Sequence, residues 1–355
     1  MNTKHLLAFA ILLLPCISCG CRHKNKKEKV GDDLEIHFFE MNKTYGDSFL
    51  VKYHDYEILV DGGNTTDAKT VRAGVKKYCT DGVLEMLIAT HPHADHVGGL
   101  SSGLAFTDLK SITTIVDYGY TYSTSTNRNY ESIRTKFVNK GSEYYPIYNI
   151  FNENAHSPIF NIDDNIFIEF LNTNLYLPVG ETKDGSFDHN SASVVATINY
   201  MNTKFYFGGD IVTEGEMNIR DNYPNYFDNS YTIYKASHHG STTSNNMNFL
   251  DYVDPKVAFI SSAIIEDNRT EKGIVTTQHP YKSVLNQLIK HTSDIYWTGT
   301  CGNINAICNG LSVTSVKGEG ATVHYYSQGL MVDSESEKDL PLPQTRWYED
   351  MSKLR

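Results

Sequence analysis

Thr90-His91-Pro92-His93-Ala94-Asp95-His96-Val97-Gly98-Gly99 is the stretch that decides the fold. The residues leading into it, Leu84–Thr90, are an apolar run of strand length, so the polar cluster stands at a strand end. Three imidazoles and one carboxylate then fall between positions 91 and 96. Imidazole and carboxylate together suit zinc or manganese, and their density exceeds what one ion needs. Alternate residues of an extended segment share a face, so His91 and His93 can grip one ion while Asp95 and His96 turn toward a second. Gly98 and Gly99 predict a tight start to a following helix.

Working outward, Leu34, Ile36 and Phe38 alternate as in a strand, and Tyr56–Val60 does so before Asp61-Gly62-Gly63. Val71, Val75 and Tyr78 fall at helical spacing. Further strands are expected at Ile112–Val116, Ile166–Leu171, Ser193–Tyr200, Lys204–Phe207, Ile233–Ala236 and Lys256–Ile260. A helix is expected over Tyr281–His291, where Val284, Leu285, Leu288 and Ile289 share a face. Strands and helices mix without a linker, which predicts a single α/β domain over residues 34–326. Residues 327–355, with Ser-Glu-Ser-Glu-Lys-Asp and two prolines, read as a loosely attached tail.

H-x-H-x-D-H after a strand resembles the signature of the metallo-β-lactamase-fold hydrolases. Leu59-Val60-Asp61-Gly62-Gly63, Phe207-Gly208-Gly209-Asp210 and Ser237-His238-His239-Gly240-Ser241 resemble that family's further motifs. A narrower likeness is to the soluble hydrolase domain of ComEC-type competence proteins and their free-standing relatives, phosphorylcholine-esterase-like enzymes among them. It rests on Gly46-Asp47-Ser48, His238-His239-Gly240-Ser241 with Ser244, Ser261-Ser262, His279-Pro280 and Trp297-Thr298-Gly299.

The resemblance implies an αββα sandwich with a two-metal site at one edge. It assigns His91, His93 and His189 to one divalent ion and Asp95, His96 and His239 to the other, with Asp210 shared and Asp61 orienting the metal loop. The ions expected are zinc, with manganese as the alternative, and the nucleophile a hydroxide between them. Asp95, Asp210 and His238 form the expected catalytic set, with His238 acting as oxyanion stabiliser or proton donor, or else as a hydrogen-bond partner behind the ligands. In Asp188-His189-Asn190-Ser191 the branch aligns an Asn with Asn190, but His189 has the better donor for zinc and is the expected ligand. His279 is a candidate substrate contact or a surface cap.

The chain has 355 residues, of which 40% are hydrophobic and 21% charged, so wholesale disorder and a collagen-like repeat are excluded. A formal charge of −11 disfavours sequence-blind nucleic-acid binding. The apolar run Leu6–Leu14 is far short of the ~20 residues that span a bilayer. Lys4 and His5 precede it and Cys16-Ile17-Ser18-Cys19-Gly20-Cys21 follows, which reads as an export signal. The segment also resembles a bacterial lipoprotein box with Cys19 acylated. The expected division is a signal peptide over 1–18 and a flexible tether over 19–33, whose basic run suits an anionic lipid surface. The expected location is the cell envelope, lipid-anchored, or else the exterior as a secreted protein.

Cys301 and Cys308 flank what reads as a hairpin, and their disulfide state stays open. Seven tyrosines between Asp117 and Tyr148 could form an ordered surface or stack on a base or quaternary ammonium. The leading function is hydrolysis of a phosphodiester or phosphoester, DNA included. The alternatives are a lactone or β-lactam hydrolase on the same site, and a metal-binding surface lipoprotein without turnover.

Overall fold

A computed structural model of the chain describes residues 31–353 apart from 42–44, 265–268, 271–272, 275–278, 323 and 328–329. The export signal, Cys19 and all of the expected tether but its last three residues lie outside the described residues. No helix among the described residues is long and apolar enough to cross a membrane.

Two sheets form the centre. The first runs, edge to edge, Val313–Gly318, Ile304–Cys308, Leu34–Phe38, Phe49–Tyr53, Tyr56–Val60, Val83–Ala89, Ser111–Asp117 and Glu143–Pro146. The second runs Ile295–Trp297, Val257–Ile260, Tyr231–Lys235, Thr203–Phe207, Ala196–Tyr200, Ile166–Phe170 and Ile159–Asp163. Their inner faces meet through phenylalanines: Phe38 lies 4.9 Å from Phe259, and Phe49 lies 5.3 Å from Phe207, ring centre to ring centre. These aromatic pairs carry the large apolar area that fixes one sheet on the other.

In each sheet the strands from Tyr56–Val60 to Ser111–Asp117, and from Thr203–Phe207 to Ile295–Trp297, are parallel neighbours. Parallel neighbours require crossovers, and helices supply them. Ala68–Tyr78 and Ala94–Ser101 serve the first sheet; Thr213–Asn222, Met247–Val253 and Lys282–Leu288 serve the second. The outcome is the expected αββα sandwich. All these parallel strands end at one pole, and their carboxyl ends carry Asp61, Thr90, Gly208, Ala236 and Ser261.

Several expectations are corrected. Gly98 and Gly99 lie inside helix Ala94–Ser101, not at its start. A side chain at Gly99 would run into the Gly62 carbonyl, with Cβ at 2.0 Å, so these glycines let the helix close onto the Asp61 loop. The tyrosine-rich stretch contains the helix Ser125–Val138, and Tyr118, Tyr120 and Tyr130 are fully buried. The buried Asp117 carboxylate accepts bonds from the Tyr130 and Tyr144 hydroxyls, from Arg134 and from the Gly119 amide, so part of the run is core and the rest is half-buried. Cys301 and Cys308 are free and buried, because Ile304–Cys308 is one strand between them and its hairpin partner is Val313–Gly318.

The expected loose tail is packed instead. Helix Arg346–Lys353 sets Trp347 and Met351 four residues apart on one face, and both are buried. The Trp347 ring meets Trp297, on the edge strand of the second sheet, at 4.7 Å. Trp347→Ala should therefore cost about 3 kcal/mol or more in urea unfolding, the usual loss for a large aromatic removed from a core. Lys353→Ala, at an exposed position of the same helix, should leave the midpoint unchanged.

Candidate metal centre

Thr90 ends its strand with its amide and hydroxyl both donating to the Asp61 carboxylate, at 2.8 and 2.7 Å. Asp61 holds a left-handed backbone (φ 57), sparsely populated for a residue with a side chain, which turns its carboxylate under the histidine loop. Its Oδ2 also lies 2.8 Å from His96 Nδ1. That contact fixes the proton of His96 on Nδ1 and leaves Nε2 aimed at Asp210, 3.2 Å from Oδ1.

His238 and His239 are both left-handed (φ 50 and 53), a strained pair on adjacent residues. Asn245 pins the turn: its amide donates to the Ser237 and Ser241 carbonyls and its oxygen accepts from Tyr234. The Glu216 carboxyl takes the Asn245 and Asn246 amides, and burial pushes this carboxyl up to about 7. The turn separates the two rings. His239 Nε2 faces Asp95 at 3.4 Å and Asp210 at 3.5 Å, while His238 sits at the mouth, its Nε2 3.6 Å from Asp210.

His91 Nε2 lies 3.8 Å from Asp210 Oδ2 and 3.1 Å from His93 Nδ1. The structure thus gathers His91, His93, Asp95, His96, Asp210, His238 and His239 at one pole. Against the cost of burial, His96 and His239 hold Asp210 well below the usual carboxylate range. In return Asp210 raises both imidazoles well above theirs, helped by Asp61 at His96 and by Asp47 at His239. Burial, with the His96 charge, pushes His91 well down.

The donor set fits divalent metal ions. Ligand-type atoms of His96, Asp210 and His239 lie within 4.8 Å of one another and of the Asp47 carboxylate, which approaches His239 from its Nδ1 side; all four residues are buried. Among the described residues, His96 Nε2, His239 Nε2 and Asp210 Oδ1 are buried without a hydrogen-bond partner, a costly arrangement that a shared cation would relieve.

His189 does not present a nitrogen to the cluster, which corrects its expected role. Its Nδ1 lies 3.0 Å from the Tyr120 hydroxyl and its Nε2 3.0 Å from the Asp184 carbonyl, while its ring stacks on Tyr120. Asn190 is the residue turned inward: Oδ1 is buried without a partner and Nδ2 is 3.5 Å from His238 Nε2. His279 stacks on His238, with ring centres 5.4 Å apart, and Tyr45 meets it edge-on at 4.6 Å. Burial, then the neighbouring His239 and His238, push His279 down to about 4.

Sequence reasoning missed three members. Asp47 was visible only as part of a turn motif. Lys235 is a lysine in the otherwise apolar Ile233-Tyr234-Lys235-Ala236 run, a signal that could have been read. Ser261 accepts from His239 Nδ1 through its carbonyl at 2.9 Å; the Ser261-Ser262 pair was visible as a motif, but a backbone acceptor's role cannot be read from its side chain.

A model of the metallo-beta-lactamase superfamily matches residues 41–263, a span that holds every residue described at this site except His279. The chain belongs to the metallo-β-lactamase superfamily. This superfamily member is similar to ComE operon protein 3 of Bacillus subtilis, 29% identical over 115 residues, which is 32% of this chain and 13% of that protein. The matched segment is thus a small part of that relative's length. Among solved structures it is similar to the metallo-beta-lactamase fold protein YhfI of Bacillus subtilis, at 12% identity and TM-score 0.43, covering 75% of this chain and 96% of the other. Human tRNase Z, short form, is similar at 11% identity and TM-score 0.33, covering 74% and 91%.

Two substitutions test the ligand geometry by metal titration against a chromogenic chelator. Asp61→Asn, which replaces an acceptor of the His96 proton, should weaken metal binding about 10–100-fold. His189→Ala should leave metal stoichiometry unchanged while Asn190→Ala weakens binding; the reverse ranking would restore His189 as a ligand.

Proposed function

We propose that this superfamily member hydrolyses a phosphodiester or phosphoester on an exported domain anchored to lipid through Cys19. The observation that carries the reading is the row of His238, Asn190 and His279 at the mouth of a buried carboxylate–imidazole cluster. A transferring phosphoryl group spreads negative charge over three oxygens, and fixed donors beside a metal centre suit that distribution. The H-H-G-S-x-x-S pattern and the His279-Pro280 pair favour this substrate class over a lactone or β-lactam.

His91, His93, Asp95, His96, Asp210 and His239, with Asn190 beside them, are the residues that would hold zinc or manganese. Divalent ions in such a site polarise a phosphoryl oxygen and make water acidic enough to ionise near neutral pH. The chain's own part is positioning. Thr243 Oγ1 lies 2.9 Å from His238 Nδ1, and when that hydroxyl donates, the ring proton sits on Nε2, facing the site. His238 then donates a hydrogen bond to an oxygen that gains charge, or passes its proton to the leaving oxygen. Asn190 Nδ2 adds a second donor beside it. Both ring nitrogens of His279 are without hydrogen-bond partners among the described residues, so it offers a further polar contact to substrate.

Metal content and bis(p-nitrophenyl) phosphate hydrolysis are measured together on purified variants. His238→Ala should keep its metal while turnover falls about 10²–10³-fold, the loss typical of one positioned donor. His239→Ala should lose an ion and activity together. If neither change alters turnover of any ester, the hydrolase reading fails.

The anchor is tested separately by fatty-acid labelling in cells. Cys19→Ser should abolish label and Cys21→Ser should not; label that survives Cys19→Ser would move the acylation site elsewhere.

A further inference from the structure

His96 and His239 are built alike on their inner side and differently behind. Each turns Nε2 toward Asp210, and each has a buried carboxylate near Nδ1, Asp61 for His96 and Asp47 for His239. Asp61 is satisfied by Thr90, as described above. Asp47 is satisfied by a charge: its Oδ2 is paired with the Lys235 ammonium, and both residues are buried, at 1% and 0% exposure. Asp47 Oδ1 has no hydrogen bond of its own among the described residues and stands 3.3 Å from His239 Nδ1, beside the Ser261 carbonyl that accepts from the same nitrogen.

We propose that Asp47 and Lys235 form a buried positioning pair that holds His239 in its ligand orientation. The inference rests on the reading of the site as a metal centre. Asp47 approaches His239 at Nδ1, while Asp95 and Asp210 meet it at Nε2, so Asp47 stands behind the ring and not among the atoms that face the centre.

Asp47 comes from the loop before Phe49–Tyr53 of the first sheet, and Lys235 is the last residue of Tyr231–Lys235 in the second. The pair therefore ties the two sheets together directly beneath the cluster. The backbone around Asp47 locks the same place. Its amide donates to the Asp95 carbonyl at 3.1 Å, its carbonyl accepts from Gly63 at 2.8 Å, and Ser261 Oγ donates to the Gly46 carbonyl at 2.8 Å. One short turn thus touches the segments that supply Asp61, Asp95 and the His239 acceptor.

The pair has a reason to be charged. A carboxylate near Nδ1 strengthens His239 as a donor through Nε2, as carboxylate–imidazole arrangements do at metal sites. A carboxylate buried this deeply needs a counter-charge, and Lys235 supplies it without entering the cluster. The long stem of Lys235 runs inside the protein, and its ammonium also lies 3.5 Å from the Gly209 carbonyl, next to Asp210. Lys235 thereby bears on both the His239 side and the Asp210 loop.

The test uses the full chain and zinc, with three variants: Asp47→Asn, Lys235→Met and the double variant. Two readouts are taken, thermal unfolding without metal and zinc affinity by chelator competition. Asp47→Asn should lower the unfolding midpoint, because it leaves the ammonium buried without a partner, and should weaken one zinc equivalent about 10–100-fold. The double variant should regain the midpoint, since a neutral pair of similar volume replaces a charged one, while zinc affinity stays weak. Recovery of both readouts in the double variant would make the pair merely structural and overturn the inference, as would Asp47→Asn binding zinc like the unaltered chain. An unaltered chain that takes up no zinc at all would instead overturn the metal-centre reading itself.

Discussion

A carboxylate sunk among imidazoles is the constraint on which this structure turns. Asp210 is almost fully buried and lies within 4 Å of ring nitrogens from His91, His96, His238 and His239. Such a concentration of ionisable groups is unstable unless each has a fixed partner and the whole can share positive charge. The surroundings answer that demand in layers. Asp61 and Asp47 stand behind two of the rings, Thr90 and Lys235 satisfy those carboxylates, and Glu216 with Asn245 holds the turn that separates His238 from His239.

The site was legible in sequence to the degree that its chemistry is local. The cluster from His91 to His96 announces itself, because those side chains leave consecutive residues at one strand end. Asp210 and the His238–His239 pair were readable because each also follows a strand and a glycine or small-residue turn. Position 189 failed for a reason of chemistry and geometry together. Zinc prefers imidazole nitrogen to an amide oxygen, but the short turn His189–Ala192 rotates neighbouring side chains to different sides, and Tyr120 captures the imidazole. Nothing in the linear order says which of two adjacent residues a tight turn will face inward.

The fold was legible where periodicity is strong and invisible where it is sparse. The strands Tyr56–Val60, Val83–Ala89 and Thr203–Phe207 lie within a few residues of their expected bounds. The final helix was missed because Trp347 and Met351 are its only buried residues among charged neighbours. The tyrosine-rich stretch misled in the opposite direction. Tyrosine there is a core residue whose hydroxyl reaches a buried partner, as Tyr130 and Tyr144 reach Asp117, and composition alone does not distinguish that use from a binding surface.

The pairing of Leu34–Phe38 with Ile304–Cys308 has a consequence for how the chain reaches its native state. The first strand sits inside the first sheet, with Phe49–Tyr53 on one side and a strand some 270 residues later in sequence on the other. Local hairpins such as Phe49–Tyr53 with Tyr56–Val60 can form early, since they close short loops. The strand Leu34–Phe38 stays half-paired until nearly the whole domain has been made, exposing an apolar edge open to mispairing. Closure of that seam is the most non-local event in the fold, and such contacts slow folding. The interval before closure is when a nascent or unfolded chain of this kind is most prone to aggregate and most in need of a holding partner.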